Sequence, residues 1–353
     1  MKSIEAYGYY FTGTSLKLEK KNFTISEVPS DHVVVKVAGC GLCHTDLGFI
    51  ESKVKTKHEL PLILGHEISG QVVEVGAQMQ KWAGKSVLIP AVLPCGECDL
   101  CKAGRDNICQ KQKMPGNDFH GGFASHIVVP ARFLCELPNS LGDYKLSELS
   151  VIADAVTTPY QSLKRSALKS GELAIIFGVG GVGIYMVQHA KAVGAKIIAL
   201  DIDDAKLEAA KGQGADFVLN VKGLTEKDLK DTVRNLVKQN ALPANQWKIF
   251  ETSGSVIAQG MAFSLLTFAG SLAVVGFTMD KINVRLSNLM AFDAEVFGNW
   301  GCKPSYYPEV VKLVLENKIK VKPNIQEYPL TSINEVLELA FQHKLDRRAI
   351  FIP

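Results

Sequence analysis

Ten residues, Ala174 to Gly183, constrain this chain more than any others. The run Ala174-Ile175-Ile176-Phe177 is apolar and suits a buried strand, and Gly178-Val179-Gly180-Gly181-Val182-Gly183 follows it directly. A helical pattern, Ile184 through Val193, leaves the glycines. Strand, Gly-x-Gly-x-x-Gly turn and helix in that order open a dinucleotide-binding βαβ unit. The glycines permit the sharp turn, let the backbone approach a pyrophosphate, and seat the helix close to the strand. The helix N-terminus then offers its N–H groups and dipole to the phosphates. Gly178, Gly180, Gly181, Val182 and Gly183 are therefore candidate coenzyme contacts. A second strand, Lys196-Ile197-Ile198-Ala199-Leu200, ends at Asp201, eighteen residues beyond Gly183. An acid there accepts hydrogen bonds from the adenosine ribose and repels a 2′-phosphate, which favours NAD over NADP. The competing role for Asp201 is a helix cap shared with Asp203.

Two sets of metal-ligand residue types precede this unit. Cys95, Cys98, Cys101 and Cys109 stand two, two and seven residues apart in a loop-like stretch, the pattern of a structural zinc held by four thiolates. Disulfides are the alternative, but bonds between cysteines so close in sequence are strained, and nothing else in the chain suggests secretion. Upstream, Cys40-Gly41-Leu42-Cys43-His44-Thr45-Asp46 and Gly65-His66-Glu67 bring together a thiolate, an imidazole and a carboxylate. These are the ligand types of a catalytic zinc, which keeps one position open.

With 353 residues the chain is long enough for about two domains. Its net charge of +3 argues against nucleic acid or an anionic membrane as the main partner. No apolar stretch of about twenty residues reads as a membrane span, and Met1 to Glu5 lacks the apolar core of a signal peptide. Eight cysteines, mostly in or beside metal motifs, suit a reducing cytoplasm. Residues 1–155 show short β-type runs such as His32–Val37 and Gly70–Val75, as in a barrel-like β domain. Residues 156–295 alternate strands with helical stretches, as in a doubly wound parallel sheet. Residues 296–353, with a helix expected over Pro308–Asn317 and a strand over Arg348–Phe351, are expected to return to the first domain.

Cys43-His44-Thr45-Asp46, Gly65-His66-Glu67, the cysteine quartet, Gly121-Gly122-Phe123-Ala124 and the glycine turn with Asp201 together resemble the zinc-dependent medium-chain alcohol dehydrogenases over essentially the whole length. The resemblance implies an α/β chain: a GroES-like β-barrel catalytic domain plus a Rossmann doubly wound parallel sheet. It implies two zinc ions per chain, one catalytic and one structural, with NAD as coenzyme. The third protein ligand of the catalytic zinc falls on Asp154, in Ala153-Asp154-Ala155-Val156-Thr157-Thr158-Pro159-Tyr160. A carboxylate is harder and less electron-donating than a thiolate, so this zinc should be a strong Lewis acid. Helix capping is the alternative role for Asp154.

By the same resemblance Thr45 bonds the reacting alcohol oxygen, Asp46 and Glu67 support the ligands, and Glu67 can approach the metal during ligand exchange. The backbone near Val275-Gly276-Phe277 holds the coenzyme carboxamide. Relatives carry a relay histidine where this chain has Gly48, so either His44 takes the proton or it leaves through the coenzyme ribose and water. Segments Lys113–Gly122, Arg285–Ala294 and Gly298–Cys302 resemble members that act on a ring alcohol of an acyl-CoA thioester. Lys53, Lys55 and Lys57, beside His58, are then candidate CoA contacts, a solvated loop being the equal alternative; Arg347 and Arg348 are further candidates. The other readings are a dehydrogenase of free alcohols or polyols, and a non-catalytic zinc-stabilised protein. A homodimer or homotetramer is expected by analogy.

Overall fold

The computed structural model describes residues 3–51 and 54–353, so Lys53 lies outside the described residues. The chain divides into two units, residues 1–157 with 301–353, and residues 158–300.

The first unit is built from short strands around a buried valine run. β1 (Ile4–Phe11) pairs antiparallel with β2 (Glu19–Ile25). β3 (His32–Gly41) carries Val33, Val34 and Val35, all fully buried. Val33, Val35 and Val37 face the main core, while Val34 packs with Ala6 and Ile25 on the opposite side, so both faces of this strand are covered. β4 (Leu62–Ile63) pairs with β1, and β5 (Glu67–Val75) lies antiparallel to β3. β6 (Ser86–Ile89), β7 (His126–Pro130) and β8 (Cys135–Glu136) extend the sheet, β7 pairing with β3. Register shifts in β3, between Val34 and Val35 and between Val37 and Gly39, bend the strand before it delivers Cys43.

The second unit is a six-stranded parallel sheet: β9 (Leu173–Phe177), β10 (Lys196–Asp201), β11 (Phe217–Asn220), β12 (Lys248–Glu251), β13 (Ser271–Val274) and β14 (Glu295–Gly298). Its order, β11-β10-β9-β12-β13-β14, is that of a dinucleotide-binding doubly wound fold. Ligands of such sheets bind outside the carboxyl ends of the strands, where the order reverses beside β9. Gly178 and Val275 follow strand ends on that edge, and Asp201 is the last residue of β10 there.

The tail completes the first unit. β15 (Ile325–Pro329) pairs parallel with β16 (Arg348–Ile352), which lies antiparallel to β3. Some boundaries differ from the sequence expectation. The helix expected to reach Asn317 runs Tyr307–Leu315, because Asn317 takes a left-handed conformation with φ of 58°. The strand expected from Gly70 begins at Glu67. β3 continues to Gly41, four residues past the expected Val37. No helix among the described residues is long and apolar enough to cross a membrane.

Gly48 lies inside the helix His44–Ile50, where a Cβ would meet nothing within 4 Å. Glycine loses more backbone entropy on folding than alanine, so Gly48→Ala should raise the unfolding free energy by about 0.5–1 kcal/mol. Urea denaturation measures this; a lower midpoint would mean that the helix needs the missing side chain.

Candidate active site

The helix His44–Ile50 begins at Cys43, whose amide donates to Asp46 Oδ2 at 3.0 Å. The Gly65 amide donates to Asp46 Oδ1, also at 3.0 Å, so one fully buried carboxylate fixes the chain on both sides of the site. His66 follows Gly65 and is 1% exposed. Its ring nitrogens complete no hydrogen bond, although Nδ1 lies 3.4 Å from Asp46 Oδ1 and Nε2 3.6 Å from Asp154 Oδ2. Cys43 Sγ lies 3.8 Å from Asp154 Oδ2. Ligand atoms of Cys43, His66, Glu67 and Asp154 all fall within 4.8 Å of one another.

A buried imidazole without a completed hydrogen bond, ringed by acids, is costly unless a cation joins it. Burial pulls His66 down, yet Asp46, with Asp154 and Cys43 beside it, lifts it well above the usual histidine range. A metal ion satisfies both demands, taking the nitrogen lone pair and the negative charge. These residues therefore fit a zinc ion.

Glu67 is fully buried, and Arg348 closes on its Oε1 at 2.7 Å while also donating to the Leu42 carbonyl at 3.1 Å. Glu67 Oε2 has no hydrogen-bond partner. Burial pushes Glu67 up to about 7 against the pull of Arg348. This pair, 281 positions apart, left no signal in the sequence. Arg348, with its side chain 5% exposed, is committed to Glu67 and is not a surface contact for CoA. Thr45 is exposed, its Oγ1 3.7 Å from Cys43 Sγ, and His44 is exposed on the same turn.

In the quartet the sulfur separations are 3.5 Å for Cys98–Cys101, 3.7 Å for Cys98–Cys109 and 3.9 Å for Cys95–Cys101. A tetrahedron with Zn–S bonds of 2.3 Å has edges of about 3.8 Å. All eight cysteines are free thiols, which removes the disulfide alternative. The Glu97 and Cys98 amides point at Cys95 Sγ and hold its thiol down at about 6.

In the second unit Gly178 has φ of 78°, and a Cβ on Gly183 would lie 1.8 Å from the Gly178 carbonyl oxygen. A Cβ on Gly180 meets nothing within 4 Å, so the fold itself does not require glycine there. Space beside Gly180 is what an approaching pyrophosphate uses. Gly181 is exposed, and Val182 caps the helix Gly183–Val193 without an acceptor side chain, the Ile184 and Tyr185 amides turning back to the Gly180 and Val182 carbonyls at 3.0 and 3.1 Å. Thr252 Oγ1 braces the turn through the carbonyls of Phe177, at 2.9 Å, and Gly178, at 2.6 Å. Asp201 Oδ2 accepts from the Val179 amide and Oδ1 from that of Ile202, both at 2.8 Å. Asp203, not Asp201, caps the following helix, accepting from the Ala205 amide at 2.9 Å. Phe277 is 66% exposed beside Val275 and Gly276.

The basic run is only partly committed to a surface role. Lys55 is exposed, whereas Lys57 Nζ lies 3.3 Å from Asp118 Oδ1 and the Lys57 amide bonds Asn117 Oδ1 at 3.0 Å.

Residues 29–139 match the family model of the alcohol dehydrogenase GroES-like domain, and residues 181–316 match that of the zinc-binding dehydrogenases. An alcohol dehydrogenase of Geobacillus stearothermophilus is 32% identical over 338 residues, 94% of this chain and 95% of that one. D-arabitol-phosphate dehydrogenase of Enterococcus avium is 29% identical over 323 residues, 90% of this chain and 89% of its own. Among solved structures, the alcohol dehydrogenase of the archaeon Aeropyrum pernix matches with a TM-score of 0.88 at 28% identity, covering 98% of this chain and 100% of that one.

The two glycines should separate in a stability assay. Gly183→Ala forces backbone apart and should cost more than about 2 kcal/mol, whereas Gly180→Ala should stay within about 0.5–1 kcal/mol of the parent. Thermal unfolding of the two variants checks this; equal losses would show that Gly180 serves the fold.

Proposed function

The chain belongs to the zinc-dependent medium-chain alcohol dehydrogenase family, and from that premise we propose that it oxidises a secondary ring alcohol of an acyl-CoA with NAD. The reaction proposed is 6-hydroxycyclohex-1-ene-1-carbonyl-CoA to 6-oxocyclohex-1-ene-1-carbonyl-CoA, a step of anaerobic benzoyl-CoA degradation. The observation that carries the chemistry is the cluster of buried Cys43 and His66 with half-buried Asp154, and its unsatisfied imidazole. The substrate rests on the likeness of Lys113–Gly122, Arg285–Ala294 and Gly298–Cys302 to such enzymes. The second reading, a free alcohol or a phosphorylated polyol, is favoured by the names of the relatives.

Cys43, His66 and Asp154 would hold the catalytic zinc and Cys95, Cys98, Cys101 and Cys109 the structural one. Zinc, when bound, acidifies an alcohol hydroxyl that replaces water on it, and NAD accepts the hydride. Thr45, exposed beside Cys43, would hydrogen-bond the reacting oxygen through Oγ1 and pass its own hydroxyl proton onward as it takes up the substrate's. With no side chain at Gly48, the proton would leave through exposed His44 or through the coenzyme ribose and water. Asp46 keeps the Cys43 and His66 segments in place, and Arg348 anchors Glu67, whose Oε2 remains available for ligand exchange. Asp201 keeps acceptor capacity for the ribose hydroxyls while bracing the glycine turn through Val179. Val275, Gly276 and Phe277 would hold the carboxamide through carbonyls and not through the Val275 and Gly276 amides, which bond Glu251. Lys55 and Lys57 would attract the CoA phosphates. We place the enzyme in the cytoplasm as a homodimer or homotetramer. Its free thiols support that compartment, and Leu286 and Met290, 67% and 80% exposed near edge strand β14, support association.

Two measurements test this. Asp201→Asn keeps the shape of the side chain and removes its charge. Losing a hydrogen bond to a charged group costs about 1.5–3 kcal/mol, so NAD affinity should fall roughly ten- to a hundredfold while NADP rejection relaxes. An unchanged NAD/NADP ratio would sink the ribose role. For the substrate, steady-state NAD reduction is compared between alicyclic hydroxyacyl-CoA thioesters, simple secondary alcohols and polyol phosphates. The thioester should lead in kcat/KM by at least about a hundredfold, roughly 2.7 kcal/mol of added transition-state binding. A lead for either of the others decides for the second reading.

A further inference from the structure

We propose that Tyr307 is a positioning residue: it clamps the backbone just before Asp154 and thereby aims the Asp154 carboxylate into the metal centre. The inference rests on the reading of Asp154 as a ligand and adds the device that makes it one.

Tyr307 begins the helix Tyr307–Leu315 and is 1% exposed. Its hydroxyl donates to the Ala153 carbonyl and accepts from the Ala91 amide at 3.3 Å. The Ala91 amide also lies 3.4 Å from that same carbonyl. Thr157, fully buried, donates its hydroxyl proton to the Asp154 carbonyl at 3.4 Å. Both peptide groups that flank the Asp154 Cα are therefore held, one by Tyr307 with Ala91 and the other by Thr157. The direction of a Cα–Cβ bond follows from its two flanking peptide planes, because each residue has only two soft backbone angles. The device is needed here because Asp154 stands just past the 3₁₀ segment Ser147–Ala153, with φ of −144°, outside its regular bonding.

A phenylalanine would fill the same buried space, so packing alone does not ask for the hydroxyl. A buried hydroxyl does need a partner. The acceptor used here, the Ala153 carbonyl, adjoins the residue whose carboxylate must meet Cys43 Sγ, 3.8 Å away, and His66 Nε2, 3.6 Å away. Cys43 and His66 are already fixed by Asp46, so Asp154 is the ligand that would otherwise drift.

The test is Tyr307→Phe in the zinc-loaded enzyme, with each ion's affinity measured by competition with a chromophoric chelator. Groups that orient metal ligands are worth about 10- to 100-fold in metal affinity, and Tyr307, acting through backbone, should sit near the lower end at about tenfold. The quartet's ion should be unmoved. Cobalt substituted at the first centre should show altered visible bands, a change that loss of packing elsewhere would not cause. Wild-type affinity with a wild-type cobalt spectrum would overturn the proposal, as would equal weakening of both ions. Asp154→Asn separates the two levels. If it still holds two ions tightly, the ligand reading fails; if it loses one and Tyr307→Phe does not, only the positioning role fails. Should Tyr307→Phe not fold, Thr157→Val against Thr157→Ser decides: serine keeps the hydroxyl and should keep the affinity, valine should lose it, and equal affinities would overturn the proposal.

Discussion

The Asp46 carboxylate takes the Cys43 amide on one oxygen and the Gly65 amide on the other, with His66 Nδ1 3.4 Å from the second. Cys43 leaves the end of β3 and His66 precedes β5, so these bonds fasten together two strand ends that also pair side by side. The carboxylate is fully buried, and a buried acceptor left unpaired costs roughly 1–3 kcal/mol or more. Each partner therefore holds the others in place. Removing the Asp46 side chain would free both ligand segments at once, which makes it the hinge on which the centre's geometry turns.

The same economy appears one layer out. Glu67 is buried next to the ligands, and its compensation arrives from β16, where Arg348 closes on it at 2.7 Å. A buried charge without its partner costs several kcal/mol, so the pairing ties the last strand to the metal loop as firmly as its backbone pairing with β3 does. Tyr307 repeats the pattern from the start of the helix Tyr307–Leu315, reaching Ala153 across 154 positions. The tail contributes none of the metal ligands, yet it supplies a guanidinium and a phenol that brace two of the four clustered side chains.

What the sequence disclosed was local. Gly178, Gly180, Gly183 and Asp201 lie within one βαβ unit, where spacing alone determines which backbone meets which ligand. The cysteine quartet is legible for the same reason, since its ligands span only fifteen positions. Asp154 was reached through resemblance and not through spacing, because its partners Cys43 and His66 are distant in the chain. Arg348 read as an exposed cation, since nothing adjacent to it reveals Glu67. Asp203 and Asp201 are indistinguishable as caps by residue type, and only the path of the chain after β10 assigns the cap to Asp203. Strands β2 and β14 escaped notice because both lie at sheet edges with exposed, polar or mixed faces that hide the alternation.

The two metal centres differ in charge as much as in burial, and that difference suits them to different work. Four thiolates around a divalent cation leave a net negative charge, which quenches any pull on a further ligand. Backbone amides of Glu97 and Cys98 directed at Cys95 Sγ offset part of that charge and stabilise a closed cage. At the other centre the Cys43 thiolate, the Asp154 carboxylate and a neutral His66 imidazole, keeping its Nδ1 proton toward Asp46, would cancel the charge of the same cation. A neutral centre would still gain by acquiring an anion and so would favour loss of the proton from an incoming hydroxyl, with Thr45, exposed beside it, able to relay that proton by passing on its own. Replacing a polarisable thiolate by the harder Asp154 carboxylate sharpens this further, because less electron density is returned to the metal. The carboxylate is also the more demanding ligand, since its lone pairs are directional and it is Oδ2 that lies near both Cys43 and His66. Stronger acidity at this centre is thus bought with stricter backbone geometry at residue 154, which is where Tyr307 and Thr157 converge.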